Sequence, residues 1–268
     1  MNLKNQVLKY PILSSIIVMF LVSLLTEVKI NAFFEKYFNN QISNYLQGIV
    51  MQGLATIIIV IFIFYLGIQE EAKIKKFKEW KNLVLFWPLL LISAVMFFEY
   101  ISVSTGIKQD FFLIIVYILL FISTGFVEET IFRGFITTLF IKKWGNSKKG
   151  IYFSVIIASS IFGILHLFNL FSGRADLIYS LSQLIYSAVF GIIFATCMLR
   201  NDSIWPVIIV HAIFDLVACL GQIDNNSTFD LTKDLTWNVF IFNLVLSVPL
   251  LIYGLFILRK VESNVYKK

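Results

Sequence analysis

Residues 111–141 read FFLIIVYILLFISTGFVEETIFRGFITTLFI, and this stretch decides the class of fold. Apolar residues dominate it, and the next basic residue after it is Lys142. A transmembrane helix needs about 20 mostly apolar residues, so the stretch predicts a helix that crosses a membrane. Because it is longer than one perpendicular crossing requires, we expect it to be tilted, kinked near Gly125 or extended past the membrane.

The whole chain has the composition of a membrane protein. It is 59% hydrophobic and 14% charged, whereas soluble domains have roughly 45–50% apolar and about 25% charged residues. The same length rule gives eight candidate spans, at residues 10–29, 49–68, 83–104, 111–141, 150–168, 177–199, 203–221 and 237–258. The sequence therefore predicts an all-α fold, a polytopic transmembrane helix bundle of about eight spans that forms a single membrane domain over residues 1–268.

The basic residues indicate how this bundle is oriented. Lys and Arg of short loops concentrate on the cytoplasmic side, and most of the 22 basic residues fall in cytoplasmic segments if the N-terminus lies inside. We therefore expect both termini to be cytoplasmic. The net charge of +6 comes without a basic face interleaved with aromatic residues, so nucleic acid is not an expected partner. Membrane lipid is an expected partner, and the lysine-rich segment 73–81 is placed to contact anionic head groups.

Ionisable residues stand inside three of the predicted spans, and each is costly to insert, by about 2.5–3.5 kcal/mol. They are Glu128, Glu129 and Arg133 in the fourth span, His166 in the fifth, and His211 and Asp215 in the seventh. With about 1.5 Å of rise per residue, they lie within about 8 Å of one depth. The sequence therefore predicts one shared, hydrated pocket inside the bilayer.

The spacing of these residues suggests how they pair. Glu129 and Arg133 stand at i and i+4 and can form an ion pair along one helix face. Glu128 points about 100° away from Glu129 and is left for chemistry. His211 and Asp215 also stand at i and i+4, so the carboxylate can orient the imidazole, or both can reach a common ligand.

At these residues the sequence resembles the CAAX-protease and bacteriocin-processing family of intramembrane proteases, also called CPBP or Abi. The family pattern is a glutamate pair followed by three residues and an arginine, then Phe-x-x-x-His, then His-x-x-x-Asn or Asp. Here the three motifs read EETIFR at 128–133, FGILH at 162–166 and HAIFD at 211–215. The resemblance covers about residues 111–221. The third motif ends in Asp215, and in this it resembles the bacterial branch of the family.

The resemblance implies roles for the six residues. Glu128 would be the general base, helped by His166, while His211 and Asp215 would hold the oxyanion or the substrate carbonyl. Glu129 and Arg133 belong to the same motif, and either a catalytic role or a purely structural ion pair fits them. A metal-dependent version is open as well, with Zn²⁺ or another divalent ion bound by ligands drawn from His166, His211, Glu128 and Asp215. A metal-free glutamate mechanism fits the same residues.

These observations favour an intramembrane endopeptidase that cleaves a membrane-associated peptide or protein. Peptide maturation and bacteriocin self-immunity are the two processes we expect, in a multi-pass protein of a bacterial cell membrane. A proton-coupled transporter is the second hypothesis, since carboxylates and histidines also form proton relays in membranes. The third is a non-catalytic family member that acts as a membrane scaffold.

Overall fold

The computed structural model describes residues 3–74, 83–103, 109–223 and 235–263. Within these ranges all regular structure is helical and no β-strand occurs, as the sequence predicts. The helices are α1 (Leu3–Lys9), α2 (Pro11–Thr26), α3 (Asn31–Phe34), α4 (Asn40–Leu66), α5 (Trp87–Val103), α6 (Phe111–Glu129), α7 (Thr138–Trp144), α8 (Lys148–Leu165), α9 (Phe168–Phe171), α10 (Leu177–Asn201), α11 (Trp205–Ala218) and α12 (Trp237–Leu258).

Seven helical segments of the described ranges are long and apolar enough to span a membrane. They are Pro11–Phe34, Asn40–Leu66, Leu83–Ser102, Phe111–Trp144, Lys148–Phe171, Leu177–Asn201 and Trp237–Leu258. Each overlaps one of the predicted spans, so the prediction of a multi-pass membrane protein is confirmed. The predicted cytoplasmic placement of both ends stays a prediction. Residues 1–2, 75–82 and 264–268, on which part of that argument rests, lie outside the described residues.

The span predicted at 203–221 is shorter than expected. Helix α11 has 14 residues, about 21 Å of length, against a hydrocarbon core of about 30 Å. It begins late because the chain leaves α10 through Asp202, whose φ is 55°. The N–H group of Ile204 then donates to the carbonyl of Lys73, and Pro206 opens the helix.

The long fourth span extends rather than kinks at Gly125. Helix α6 continues through Gly125, where a Cβ atom would lie 2.9 Å from the carbonyl oxygen of Ile208 on α11. Beyond Glu129 the chain forms a π-helix over Thr130–Thr137, and α7 then continues to Trp144. Such wider turns are rare and occur often at functional sites. The missing side chain at Gly125 lets α11 pack closely beside the end of α6.

Small residues also bring α8 and α10 together. A Cβ atom at Gly163 would lie 2.4 Å from the carbonyl oxygen of Leu184, and one at Gly191 would lie 2.8 Å from the Cβ atom of Ser159. Close approach through small residues is how helices associate where water supplies no hydrophobic driving force. The packing holds the end of α8, which precedes His166, against α10.

The outer surface of the bundle is apolar. Phe20, Ile61, Phe98 and Val245 are each more than half exposed, on α2, α4, α5 and α12. An apolar groove of about 900 Å³ lies between α2 and α4, and none of the six polar candidates lines it. A surface of this kind is suited to contact with lipid chains, while the polar candidates are collected elsewhere in the fold.

Candidate active site

Glu129 lies at the centre of the polar cluster. Its side chain is 0% exposed, and its Oε1 atom lies 2.9 Å from a guanidinium nitrogen of Arg133 and 2.5 Å from Nδ1 of His211. The pair with Arg133 is the one that the i, i+4 spacing predicts. The contact with His211 joins the end of α6 to the middle of α11.

The guanidinium group of Arg133 is held between two aromatic rings. Its central carbon lies 4.6 Å from the ring centroid of Phe162 on α8 and 5.2 Å from that of Phe194 on α10. Arg133 is only 1% exposed, and stacking on ring faces favours the cation at such distances. The ion pair with Glu129 is therefore buried inside the protein.

His211 uses its second ring nitrogen toward two other carboxylates. Its Nε2 atom lies 3.3 Å from Oδ2 of Asp215 and 3.6 Å from Oε2 of Glu128. The side chains of Glu128 and Asp215 are each 27% exposed, in contrast to the closed Glu129. The two carboxylates beside Nε2 are thus accessible, while the one beside Nδ1 is not.

His166 stands directly after the end of α8 and faces the same region. Its ring packs 5.1 Å from the centroid of Phe162, which is also 6.1 Å from the ring of His211. Phe162 also stacks against the guanidinium group of Arg133, so one aromatic ring joins His166 to the rest of the cluster. The buried Nε2 atom finds no hydrogen-bond partner among the described residues, which leaves it for a bound molecule.

The structure therefore brings together all six residues that the sequence singled out. Two further parts of the site were not predicted, namely the π-helix that carries Arg133 and the ring of Phe194. The ring of Phe194 packs against both Arg133 and His211. Since Phe194 is one of many apolar residues in a long hydrophobic helix, its sequence context carries no signal for this role.

The geometry of the cluster does not favour a bound metal ion. No three His, Cys, Asp or Glu side chains within the described ranges converge in a way that would hold a metal ion. Both nitrogens of His211 already face carboxylates. We therefore derive no catalytic step through a metal, and the predicted Zn²⁺ or other divalent ion stays a prediction.

Comparison with known families bears on the segment that holds these residues. The family model described as type II CAAX prenyl endopeptidase Rce1-like matches residues 110–217. Residues 110–217 are Rce1-like. This confirms the resemblance that the three motifs predict, since all six residues of the cluster lie within the Rce1-like segment. No curated protein and no solved structure matches the chain.

The Rce1-like segment comprises α6, the π-helix and α7 to α11, apart from the last residue of α11. The match supports a CAAX-type intramembrane endopeptidase in general, and with it protease activity. Helices α1 to α5 and α12 lie outside it and complete the bundle around the Rce1-like segment.

Proposed function

We propose that this protein is an intramembrane endopeptidase in which Glu128 activates a water molecule. The observation that carries the proposal is the different environment of the two adjacent glutamates. Glu129 is enclosed by Arg133 and His211, whereas Glu128 is open and lies beside Nε2 of the same imidazole. A general base must be accessible to the water that it deprotonates, and only Glu128 of the two meets this condition.

The chemical steps follow from this arrangement. The carboxylate of Glu128 takes a proton from water, and the resulting hydroxide attacks the carbonyl carbon of the scissile peptide bond. The doubly protonated ring of His211 donates its Nδ1–H to Glu129 and offers its Nε2–H to the oxyanion that forms. As the C–N bond breaks, Glu128 returns its proton to the leaving amine.

The other members of the cluster support these groups. Asp215 lies beside Nε2 of His211 and keeps the ring directed toward Glu128. Arg133 neutralises Glu129 in the membrane interior. His166, whose Nε2 atom has no protein partner in the described ranges, is placed to hold the water or the substrate. In this proposal Glu129 and Arg133 are positioning residues, and they do not touch the substrate.

For the substrate we propose a membrane-associated peptide or protein precursor, in peptide maturation or bacteriocin self-immunity of a bacterial cell. The site is surrounded by lipid-facing helices, so a substrate with an apolar segment reaches it within the bilayer. Asp215 stands where the eukaryotic prenyl-protein members of the resembled family typically carry Asn, whereas the matching family model is that of a CAAX prenyl endopeptidase, so a prenyl group on the substrate is a separate question. Matched peptides with and without an isoprenyl group on cysteine answer this question.

The function is tested with the purified protein in liposomes and a quenched fluorescent peptide that carries an apolar segment. We expect cleavage by the wild type and a loss of at least about 100-fold in kcat for Glu128→Gln and His211→Asn. Glu99→Gln is the matched control, because Glu99 is an exposed carboxylate on α5 and is not one of the carboxylates that contact His211 or Arg133. Full activity of both site variants would refute the proposal.

Two further measurements, chelator treatment and solute flux, separate the remaining hypotheses. A chelator that abolishes cleavage, with recovery on adding Zn²⁺, would establish the metal-dependent version. Solute flux into sealed vesicles that persists without any peptide cleavage would establish a transporter. Folded protein with neither activity would favour a scaffold.

A further inference from the structure

A pocket of about 260 Å³ lies where α10 and α12 end and α5 begins. Its basic residues are Arg200 and Lys260, and its aromatic residues are Trp87, Tyr253 and Phe256. No acidic residue of the described ranges lines it, and none of the six residues of the candidate active site does so. This basic pocket combines positive charge with apolar walls, a combination that suits an anionic molecule with an apolar part.

The walls of the basic pocket are joined by specific contacts. The hydroxyl group of Tyr253 on α12 donates to the carbonyl of Leu85, with 2.9 Å between the two oxygens. Leu85 belongs to the 3₁₀ turn Leu83–Phe86, which leads into α5. The ring of Tyr253 also meets the ring of Trp87 edge to face, with 6.0 Å between the centroids. The start of α5 and the last turns of α12 are therefore held together without a ligand.

Lys260 supplies a cation that the protein does not neutralise. Its side chain is exposed, and within the described ranges its ammonium group forms no hydrogen bond or ion pair. The backbone on both sides of it is fixed, because the ammonium group of Lys148 donates to the carbonyls of Arg259 and Val261. The guanidinium group of Arg259 lies 4.9 Å from the ring centroid of Phe256, a wall of the pocket. A further cation therefore stands beside the basic pocket.

The apolar rim of the basic pocket continues onto the outer surface of the bundle. Val84, Trp87 and Phe256 line the pocket and are each more than half exposed. Leu91 and Ile252, one turn further into α5 and α12, are also more than half exposed. Tryptophan and tyrosine are enriched where a membrane meets water. An acyl chain that starts at the basic pocket can therefore follow the apolar surfaces of α5 and α12.

We propose that the basic pocket binds the head-group phosphate of an anionic phospholipid, whose acyl chains lie along α5 and α12. Basic pockets between transmembrane helices are suited to such head groups. A zwitterionic lipid would add a second cation to the site, and no described carboxylate lines the pocket to receive it. This inference does not depend on the proposed endopeptidase function.

The test uses the full chain in detergent and native mass spectrometry, which resolves each bound lipid. The probes are phosphatidylglycerol and phosphatidylcholine with identical acyl chains. We expect wild type to bind phosphatidylglycerol at least about tenfold more tightly. Lys260→Gln should weaken phosphatidylglycerol binding about fivefold, since one basic residue at the membrane surface is lost. Its phosphatidylcholine affinity should stay within about twofold of wild type.

Lys149→Gln is the matched control for the loss of one positive charge. Lys149 is exposed in the first turn of α8 and does not line the basic pocket. Its substitution should leave phosphatidylglycerol affinity within about twofold of wild type. Lys260→Arg keeps the charge and should bind phosphatidylglycerol as wild type does. Thermal unfolding of each variant in detergent verifies that it is folded.

Competition with glycerol 3-phosphate separates a lipid from a soluble phosphate ester. This probe has the phosphate and no acyl chain, so an equal concentration should displace no phosphatidylglycerol. Displacement at equal concentration would show that the pocket takes a soluble ester and would overturn the lipid assignment. Equal affinity for the two lipids, or equal losses in Lys260→Gln and Lys149→Gln, would refute the site altogether. No measurement here requires peptide cleavage, so such a failure leaves the endopeptidase proposal standing.

Discussion

The ammonium group of Lys73 lies 2.5 Å from Oδ1 of Asp202, and both residues have positive φ angles, 60° and 55°. Lys73 follows the end of α4, and Asp202 follows the end of α10. The next residues add two hydrogen bonds, from Ile204 N–H to the Lys73 carbonyl and from Trp205 Nε1 to the Ile74 carbonyl. These contacts fix where α11 begins, less than two turns before His211.

We expect Asp202→Asn to lower both stability and activity. Asparagine tolerates a positive φ, so the change removes the charge and keeps the backbone conformation. Because Asp202 is partly exposed, the loss in the free energy of unfolding should be about 1 kcal/mol. Apparent Tm in detergent and peptide cleavage in liposomes measure the two effects.

Glu27→Gln is the control for this change. It breaks the ion pair with Arg174, in which both side chains are 56% exposed, and exposed pairs contribute little. The Tm of Glu27→Gln should stay close to that of wild type. Equal shifts in the two variants would contradict a special role for the pair of Lys73 and Asp202.

A second prediction concerns the buried pair of Glu129 and Arg133. Glu129→Gln leaves a buried guanidinium without its carboxylate partner, which typically costs about 3–5 kcal/mol. Adding Arg133→Met removes the stranded charge, so the double variant should recover much of the lost Tm. Neither variant should cleave peptide at the wild-type rate, because Glu129 also orients His211.

Thermal unfolding and cleavage rates of the single and double variants test this coupling. Additive losses of Tm would show that the two side chains act independently. Recovery of cleavage in the double variant would show that Glu129 is not needed to position His211.

The contacts within the cluster show how much of the site the sequence can predict. Glu129 with Arg133 and His211 with Asp215 each lie on one helix, so the helical repeat is enough to pair them. The contact between Glu129 and His211 joins α6 to α11 and depends on how two helices pack at Gly125. Spacing along one chain segment contains no information on that crossing.

The fold can likewise be predicted where it depends on local sequence, and not where it depends on distant contacts. Seven spans could be predicted because length and hydropathy are local properties of the sequence. The shortened α11 could not, because its start depends on contacts of Ile204 and Trp205 with a distant loop. The π-helix after Glu129 also escaped prediction, since its residues Thr130–Thr137 fit an ordinary α-helical pattern.

A third prediction concerns His166, whose buried Nε2 atom has no partner among the described residues. His166→Phe replaces the imidazole by an apolar ring that still packs on Phe162. Removing an unsatisfied polar atom should leave Tm unchanged or raise it, since such atoms destabilise by about 1–3 kcal/mol. The kcat for peptide cleavage should nevertheless fall by about 100-fold.

In His166→Phe we therefore expect Tm not to fall while kcat falls. A fall in Tm together with kcat would mean that His166 holds the fold through contacts other than the ring packing. Wild-type kcat in a stable His166→Phe protein would remove His166 from the mechanism.

A fourth prediction tests the helix crossing that assembles the site. In Gly125→Ala, the new Cβ would lie 2.9 Å from the Ile208 carbonyl and 3.1 Å from the Cβ of Ala212. Because backbone atoms cannot move aside alone, α11 must shift away from α6. His211 then moves with α11, and its 2.5 Å contact with Glu129 lengthens. We expect about a 10- to 100-fold loss of kcat and a lower Tm.

Gly53→Ala is the matched control for that substitution. Gly53 also lies inside a long span, yet within the described ranges no atom outside its own stretch of helix stands within 4 Å of its added Cβ. Alanine favours a helix interior over glycine by about 1 kcal/mol, so this variant should keep its activity and its Tm should not fall. Both variants gain the same helix propensity, and therefore any difference between them reports the contact with α11. If Gly125→Ala cleaves peptide as fast as Gly53→Ala, close approach of α6 and α11 does not control the geometry of Glu129 and His211.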